Sequence, residues 1–205
     1  IAHLLTAPLN DGGQWDMMAN LTQKYGVVPK SAMPETVSSS KTMEMNNTLT
    51  EKLREDACIL RRMHSKGSSE TELRQAKEAM LKTIYNALCI CLGVPPKTVD
   101  LQVRDKDDQF ICDLGLTPKQ FYEKYVRISL NDYVSCINAP TADKPYYHSY
   151  SVKFLGNVKE GRIVRYVNLP IEELKNAAIA QLKDGEPVWF GCDVGKRSER
   201  DMGLM

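Results

Sequence analysis

Along this chain apolar side chains return every third or fourth position in some stretches and every second position in others, and the two rhythms predict its helices and strands. After Trp15, the residues Met17, Met18, Leu21 and Tyr25 fall on one helical face, and Gly26 supplies a left-handed stop. From Val27 to Pro34 the chain reads as extended, because each proline keeps its predecessor out of the helical region. Leu49, Leu53, Ala57, Leu60 and Met63 predict one long amphipathic helix over about 42–65, ended by Gly67. Ser69 with Glu72 three residues on is a capping box. It opens a second long helix with the stripe Leu73, Ala76, Met80, Ile84, Leu88 and Cys91, stopped by Gly93 with Pro95 and Pro96 beyond. Two such helices joined by a short polar turn make an antiparallel hairpin.

Beyond Pro96 the period falls to two. Val99, Leu101 and Val103 alternate with polar residues, Asp105 to Asp108 make a turn, and Phe110 and Cys112 alternate again, which predicts a β-hairpin. Thr117 and Pro118 start a short helix running to Tyr125. The segments 133–137, 150–154 and 162–167 read as strands, with a loop rich in Pro and Tyr over 139–148. Pro170 opens a last helix carrying Ile171, Leu174, Ala178 and Leu182, ended by Gly185, and 187–192 reads as a fully buried strand. Helices and strands in separate runs place the chain in the α+β class.

Composition narrows the function more than the fold. Over 205 residues, 27 Lys and Arg stand against 26 Asp and Glu, a net charge of +1. Such a balance gives no field to gather nucleic acid or an anionic membrane, and the densest basic stretch, Lys196 to Arg200, is interrupted by Glu199. Six cysteines, at 58, 89, 91, 112, 136 and 192, show no disulfide rhythm and no Cys-x-x-Cys pair, which reads as reduced cytosolic thiols. No run of 18 apolar residues occurs. The chain opens on Ile1 in what reads as the middle of a packed element and closes at Met205 without a cap, so further sequence is expected on both sides.

Candidate chemistry is sparse. His3, His64 and His148 share no ligand spacing and are expected to be structural or exposed. Asp105, Asp107 and Asp108 begin like a calcium loop, but its glycine position holds Phe110 and its closing glutamate position Leu116. Cys89 and Cys91 point to different faces of one helix and cannot share a metal. Cys192 follows the last strand beside Asp193 and is expected to be buried and inert. Asn20 and Asn46 head glycosylation acceptor patterns, meaningful only in a secreted chain. One polar site remains. Gly12 and Gly13, ahead of the first helix, suit a tight turn and equally suit close approach of a ligand's backbone.

The string from Asn10 through Gly12, Gly13, Gln14 and Trp15 to Met18, with Lys24 to Lys30 and Met33 to Thr36, resembles the bleomycin hydrolase and aminopeptidase C family of papain-like cysteine peptidases. The similarity continues through Cys89 to Pro96, Arg104 to Asp107, Leu116 to Tyr122 and Asp184 to Lys196, and leans toward the eukaryotic bleomycin hydrolase branch. It implies a partial papain-like fold with the helical hairpin as an insertion. On that reading, 1–41 belongs to the helical half with the substrate-cleft glycines and 42–96 is the insertion. The β-rich segment with one short helix is 97–168, and 169–205 starts the second half. The resemblance also implies that Gly12 and Gly13 pair with the backbone of a bound peptide, as an added strand would. Gln14 and Trp15 then lie beside the neighbouring substrate pocket, and Gly191 faces the cleft from its other side.

The family's chemistry uses a cysteine in a Gly-x-Cys-Trp string, a later histidine and an asparagine in Asn-Ser-Trp-Gly, and none of these strings occurs here. No catalytic residue is therefore assigned within the chain; the nucleophile is expected before Ile1 and its partners after Met205. Neither Cys192 nor His148 is promoted in their place. The resemblance further implies a cytoplasmic homohexamer acting on peptides, without metal or cofactor, in which the hairpin offers packing surface. A non-catalytic interaction or oligomerisation module is the alternative.

Overall fold

The computed structural model describes residues 6, 8, 9, 12–192 and 202. His3, Asn10, Asp11, Asp193 and the basic stretch 196–200 lie outside them. In chain order the helices are α1 (Trp15–Tyr25), α2 (Val37–Ser40), α3 (Met43–Ser65), α4 (Glu70–Leu92), α5 (Pro118–Phe121) and α6 (Ile171–Lys183). The strands are β1 (Val99–Arg104), β2 (Phe110–Leu116), β3 (Ser135–Ile137), β4 (Ser149–Ser151) and β5 (Arg165–Asn168). The chain divides into two compact units, Ile1–Leu130 with Gly156–Arg162, and Asn131–Leu155 with Ile163–Met205.

In the first unit the predicted hairpin forms within two residues of its expected bounds. Leu49 and Ile84 are its most buried apolar side chains, each contributing about 1.5–3 kcal/mol by leaving water. The other stripe residues of both helices are half-buried, so the three-and-four rhythm marks the packed side. Ser69 caps α4 as expected: its hydroxyl accepts from the Glu72 amide at 3.3 Å while the Glu72 carboxylate accepts from the Ser69 amide at 2.8 Å. The hydrogen bond from Thr36 Oγ1 to the Cys91 carbonyl, 2.8 Å, fastens the cap of α2 to the end of α4.

β1 and β2 pair antiparallel with a register shift between Val99 and Leu101. The aspartates that begin like a calcium loop serve the turn: Asp105 Oδ1 accepts from the amides of Asp107 and Gln109, both at 2.9 Å, and Asp108 takes φ 59°. Thr117 caps α5, and the chain continues as one π-turn over Tyr122–Val126 before Arg127 reverses it at φ 55°.

In the second unit β5 lies between β3, to which it is parallel, and β4, to which it is antiparallel. Asn168 at the end of β5 is fully buried and organises the 139–148 loop. Its side chain accepts from the Ala139 amide at 2.8 Å and donates to the carbonyls of Ala139 and Lys144 at 3.0 and 2.7 Å.

Three expectations are corrected. The segment 187–192 is not a buried strand: Trp189 and Phe190 are 62% and 78% exposed and Cys192 is exposed rather than buried. A strand needs a neighbouring ladder for its amides, and none of the described strands pairs with this segment. On α6 the stripe is only partly covered, with Leu174 and Ala178 half-buried and Ile171 and Leu182 exposed. On α1 the apolar stripe is not the packed face; Leu21 and Tyr25 are exposed while Asp16, Ala19, Asn20 and Thr22 are buried. The reason for this last reversal lies in the partners of Asp16 and Asn20.

Candidate functional site

The candidate site begins at the N-terminal end of α1. Gln14 is the cap residue, extended at φ −106° and ψ 157°, and its carbonyl accepts from the amides of Met17 and Met18 at 2.9 and 3.2 Å. Its own amide points at the Met17 sulfur, 3.4 Å away. Before it, Gly12 takes φ 102°, a conformation glycine adopts without the cost any side chain would bring. Gly13 has no such requirement, and a Cβ there would meet only Met17 Sδ at 3.8 Å. Both glycines are exposed, whereas Gln14 and Trp15 are half-buried.

Beneath them α1 is held by its polar face. Asp16 is 6% exposed and its carboxylate meets Arg162 Nε at 2.6 Å. The Asn20 side chain pairs with the backbone of the same residue: Oδ1 accepts from the Arg162 amide at 3.0 Å, and Nδ2 donates to its carbonyl at 2.8 Å. Arg162 also donates to the Leu130 carbonyl at 3.2 Å, and Asn157 to that of Met17 at 3.1 Å. At the far end of α1 the Lys24 ammonium meets Glu160 at 2.9 Å. Hydrogen bonding to that carboxylate raises the Lys24 pKa, and the same bond lowers that of Glu160. Gly161 lies so close to α1 that a Cβ on it would sit 2.5 Å from Asn20 Cγ.

The sequence therefore named the glycines but missed Asp16, Asn20, Gly161 and Arg162. The signal was present: Asp16 and Asn20 are four apart, on the face opposite the Met and Leu stripe. The burial of Asn20 also removes it as a glycosylation acceptor, since both ends of its amide are engaged.

Gly191 belongs to the second unit; it is exposed, with open space where a Cβ would go. His64 and His148 are exposed. All six cysteines are free thiols, with Cys58, Cys112 and Cys136 exposed like Cys192, and Cys89 and Cys91 half-buried. Among the described residues no group of three or more His, Cys, Asp or Glu converges on a metal position, and no helix is long and apolar enough to cross a membrane. The arrangement leaves exposed backbone without side chains at the N-terminal end of α1, whose polar face is bound to Arg162.

The model of the Peptidase C1-like family matches residues 1–205. Aminopeptidase C of Streptococcus thermophilus is 51% identical over 205 residues, covering 100% of this chain and 46% of the relative. Aminopeptidase C of Listeria monocytogenes is 49% identical with the same coverage. Bleomycin hydrolase of Mus musculus is 41% identical over 206 residues, covering 100% of this chain and 45% of the relative. Of these three the bacterial chains carry the higher identity, against the expected lean toward the eukaryotic branch. The crystal structure of PepW from Lactobacillus rhamnosis HN001 superposes with a TM-score of 0.91 at 52% identity, over 97% of this chain and 44% of that one. The chain thus spans just under half the length of the relatives it matches. With the family model matched from the first residue to the last and a papain-like partial fold to go with it, the chain belongs to the Peptidase C1-like family.

Proposed function

We propose that this chain is the central portion of a cysteine aminopeptidase and builds one wall of its substrate cleft. The family match along the whole chain carries the reading, and the open glycine pair at α1 supports it. In this account Gly12 and Gly13 pair with the backbone of an extended peptide, where a side chain at either would obstruct it. Gln14 and Trp15 border the neighbouring side-chain pocket, and Gly191 faces the cleft from the segment 187–192. The segments 1–41, 42–96, 97–168 and 169–205 act as cleft half, helical insertion, β-rich segment and start of the second half.

The sequence contains neither Gly-x-Cys-Trp nor Asn-Ser-Trp-Gly, so the nucleophile and its partners are assigned to the remainder of a longer polypeptide. There a histidine holds the cysteine as thiolate, the thiolate attacks the scissile carbonyl, and amide donors stabilise the oxyanion. The exposed Phe154, Trp189 and Phe190 suit burial by that remainder. Homohexameric assembly and a cytoplasmic site of action follow from the resemblance, with sedimentation of the full-length protein as the check on the first.

The test is hydrolysis of aminoacyl-coumarin amides by the full-length protein. The reading expects release from substrates with a free amino terminus, little from N-acetylated ones, and loss of activity on thiol alkylation. Activity that survives alkylation, or that prefers blocked substrates, contradicts it.

A further inference from the structure

We infer that Asp16, Asn20 and Arg162 are positioning residues: together with the strap Gly156–Arg162 they set the height and tilt of the glycine segment that receives the substrate backbone. The inference rests on the proposed role of 12–15 as a cleft wall, and adds to it the device that holds the wall in place.

Gly12, Gly13 and Gln14 are followed at once by Trp15, the first residue of α1, so any rotation or slide of α1 moves them directly. The packed face of α1 is polar. A helix held by apolar packing alone has neighbouring minima separated by small slides, whereas a charged pair and a doubly bound amide have one register. Here both act from one residue. Arg162 meets the Asp16 carboxylate through Nε at 2.6 Å, while its backbone amide and carbonyl are both bound by Asn20, one turn further along. Its remaining reach, to the Leu130 carbonyl at 3.2 Å, ties the same guanidinium to a second part of the unit. Asp16 sits in the first turn, next to the glycine segment, so its anchor acts where displacement matters. The approach is close enough that Gly161 has no room for a side chain, with Asn20 Cγ 2.5 Å from where its Cβ would be. None of these residues carries a reacting group: Asp16 and Asn20 are buried, and the half-buried Arg162 spends its polar groups on Asp16, Asn20 and Leu130.

The consequence is a binding effect without a chemical one. Backbone pairing with the glycines is made equally in the bound substrate and the transition state, so misplacing them raises KM and leaves kcat alone. Sub-ångström errors in such a wall are expected to cost about tenfold.

The experiment uses full-length enzyme carrying D16N, R162M, the double variant, G161A and the conservative R162K. D16N and R162M are expected to raise KM for aminoacyl-peptide substrates about tenfold with kcat within about twofold, and the double variant to be no worse than either single one. G161A, which alters no charge, is expected to reproduce the effect by displacing Asn20, and R162K to recover part of it. Arg74→Ala, which removes the surface ion pair with Glu70 on α4, is expected to leave KM unchanged. Variants that lose thermal stability yet keep the parental KM in an active enzyme overturn the inference and leave the strap a purely structural brace. An unmutated enzyme with no hydrolysis of aminoacyl peptides instead removes the proposed function, and this inference with it.

Discussion

Gly26 and Pro118 touch backbone to backbone: a Cβ on Gly26 would lie 2.2 Å from the Pro118 carbonyl carbon, and the Val27 amide donates to the Pro118 oxygen at 3.2 Å. The end of α1 is thereby set against the start of α5, at a glycine whose φ of 79° is itself unfavourable for any side chain. Gly26→Ala combines left-handed strain with a backbone clash and is expected to destabilise by roughly 2–5 kcal/mol. Gly67→Ala is the matched comparison, with a φ of 86° but open space around the new methyl, and is expected to cost only about 1–2 kcal/mol. Urea denaturation of the two full-length variants measures the difference, which is the contribution of the contact rather than of the backbone angle.

Asn168 concentrates the order of the 139–148 loop in one amide. Truncation to Ala leaves the Ala139 amide and the carbonyls of Ala139 and Lys144 without their side-chain partner in a fully buried setting. A loss of about 2–4 kcal/mol is expected, with faster amide exchange at Ala139 as the local signature. Asn168→Asp keeps the acceptor and loses the donor, so it is expected to restore the Ala139 amide and not the two carbonyls.

Stability is expected to form a plateau in pH around the cluster of Asp113, Lys124 and Tyr125. The Asp113 carboxylate accepts from the Lys124 ammonium at 2.6 Å and from the Tyr125 hydroxyl, and these bonds lower its pKa. A carboxylate with a depressed folded pKa contributes stability above its ordinary value, and that contribution is lost as pH falls through the folded one. The same carboxylate raises the pKa of Lys124 and of Tyr125. Their contribution is complete below their ordinary values and is lost as pH rises through the raised ones. Asp113→Asn is therefore expected to flatten both limbs in denaturation midpoints recorded across pH; a variant whose limbs match the parent contradicts the assignment.

How much of this was legible depended on whether the governing partner was near in sequence. The α3–α4 hairpin was fully readable, because Leu49 to Met63 and Leu73 to Cys91 carry the helical period and Ser69, Gly67 and Gly93 punctuate it locally. The β1–β2 hairpin was readable for the same reason, its turn being built by Asp105 from its own neighbours. The face of α1 was not. Its apolar stripe suggested one buried side, but the side that is buried is chosen by Arg162, 142 residues from Asn20, and no local rule anticipates that partner. The segment 187–192 failed in the opposite way: its apolar run is genuine, but a strand is a property of a pair, and no described strand pairs with it. Gly12 and Gly13 were located by their lack of side chains, while their geometry depends on the buried anchors behind them.

Whether the glycine segment before α1 receives a peptide backbone is decided by Gly13→Ala in the full-length enzyme. Gly13 has no positive φ, and the new methyl would only reach ordinary contact with Met17 Sδ at 3.8 Å, so the free protein should accept it without strain. An unchanged melting temperature with KM for aminoacyl peptides raised about tenfold is the predicted result. A parental KM in an active, equally stable Gly13→Ala enzyme would contradict the claim.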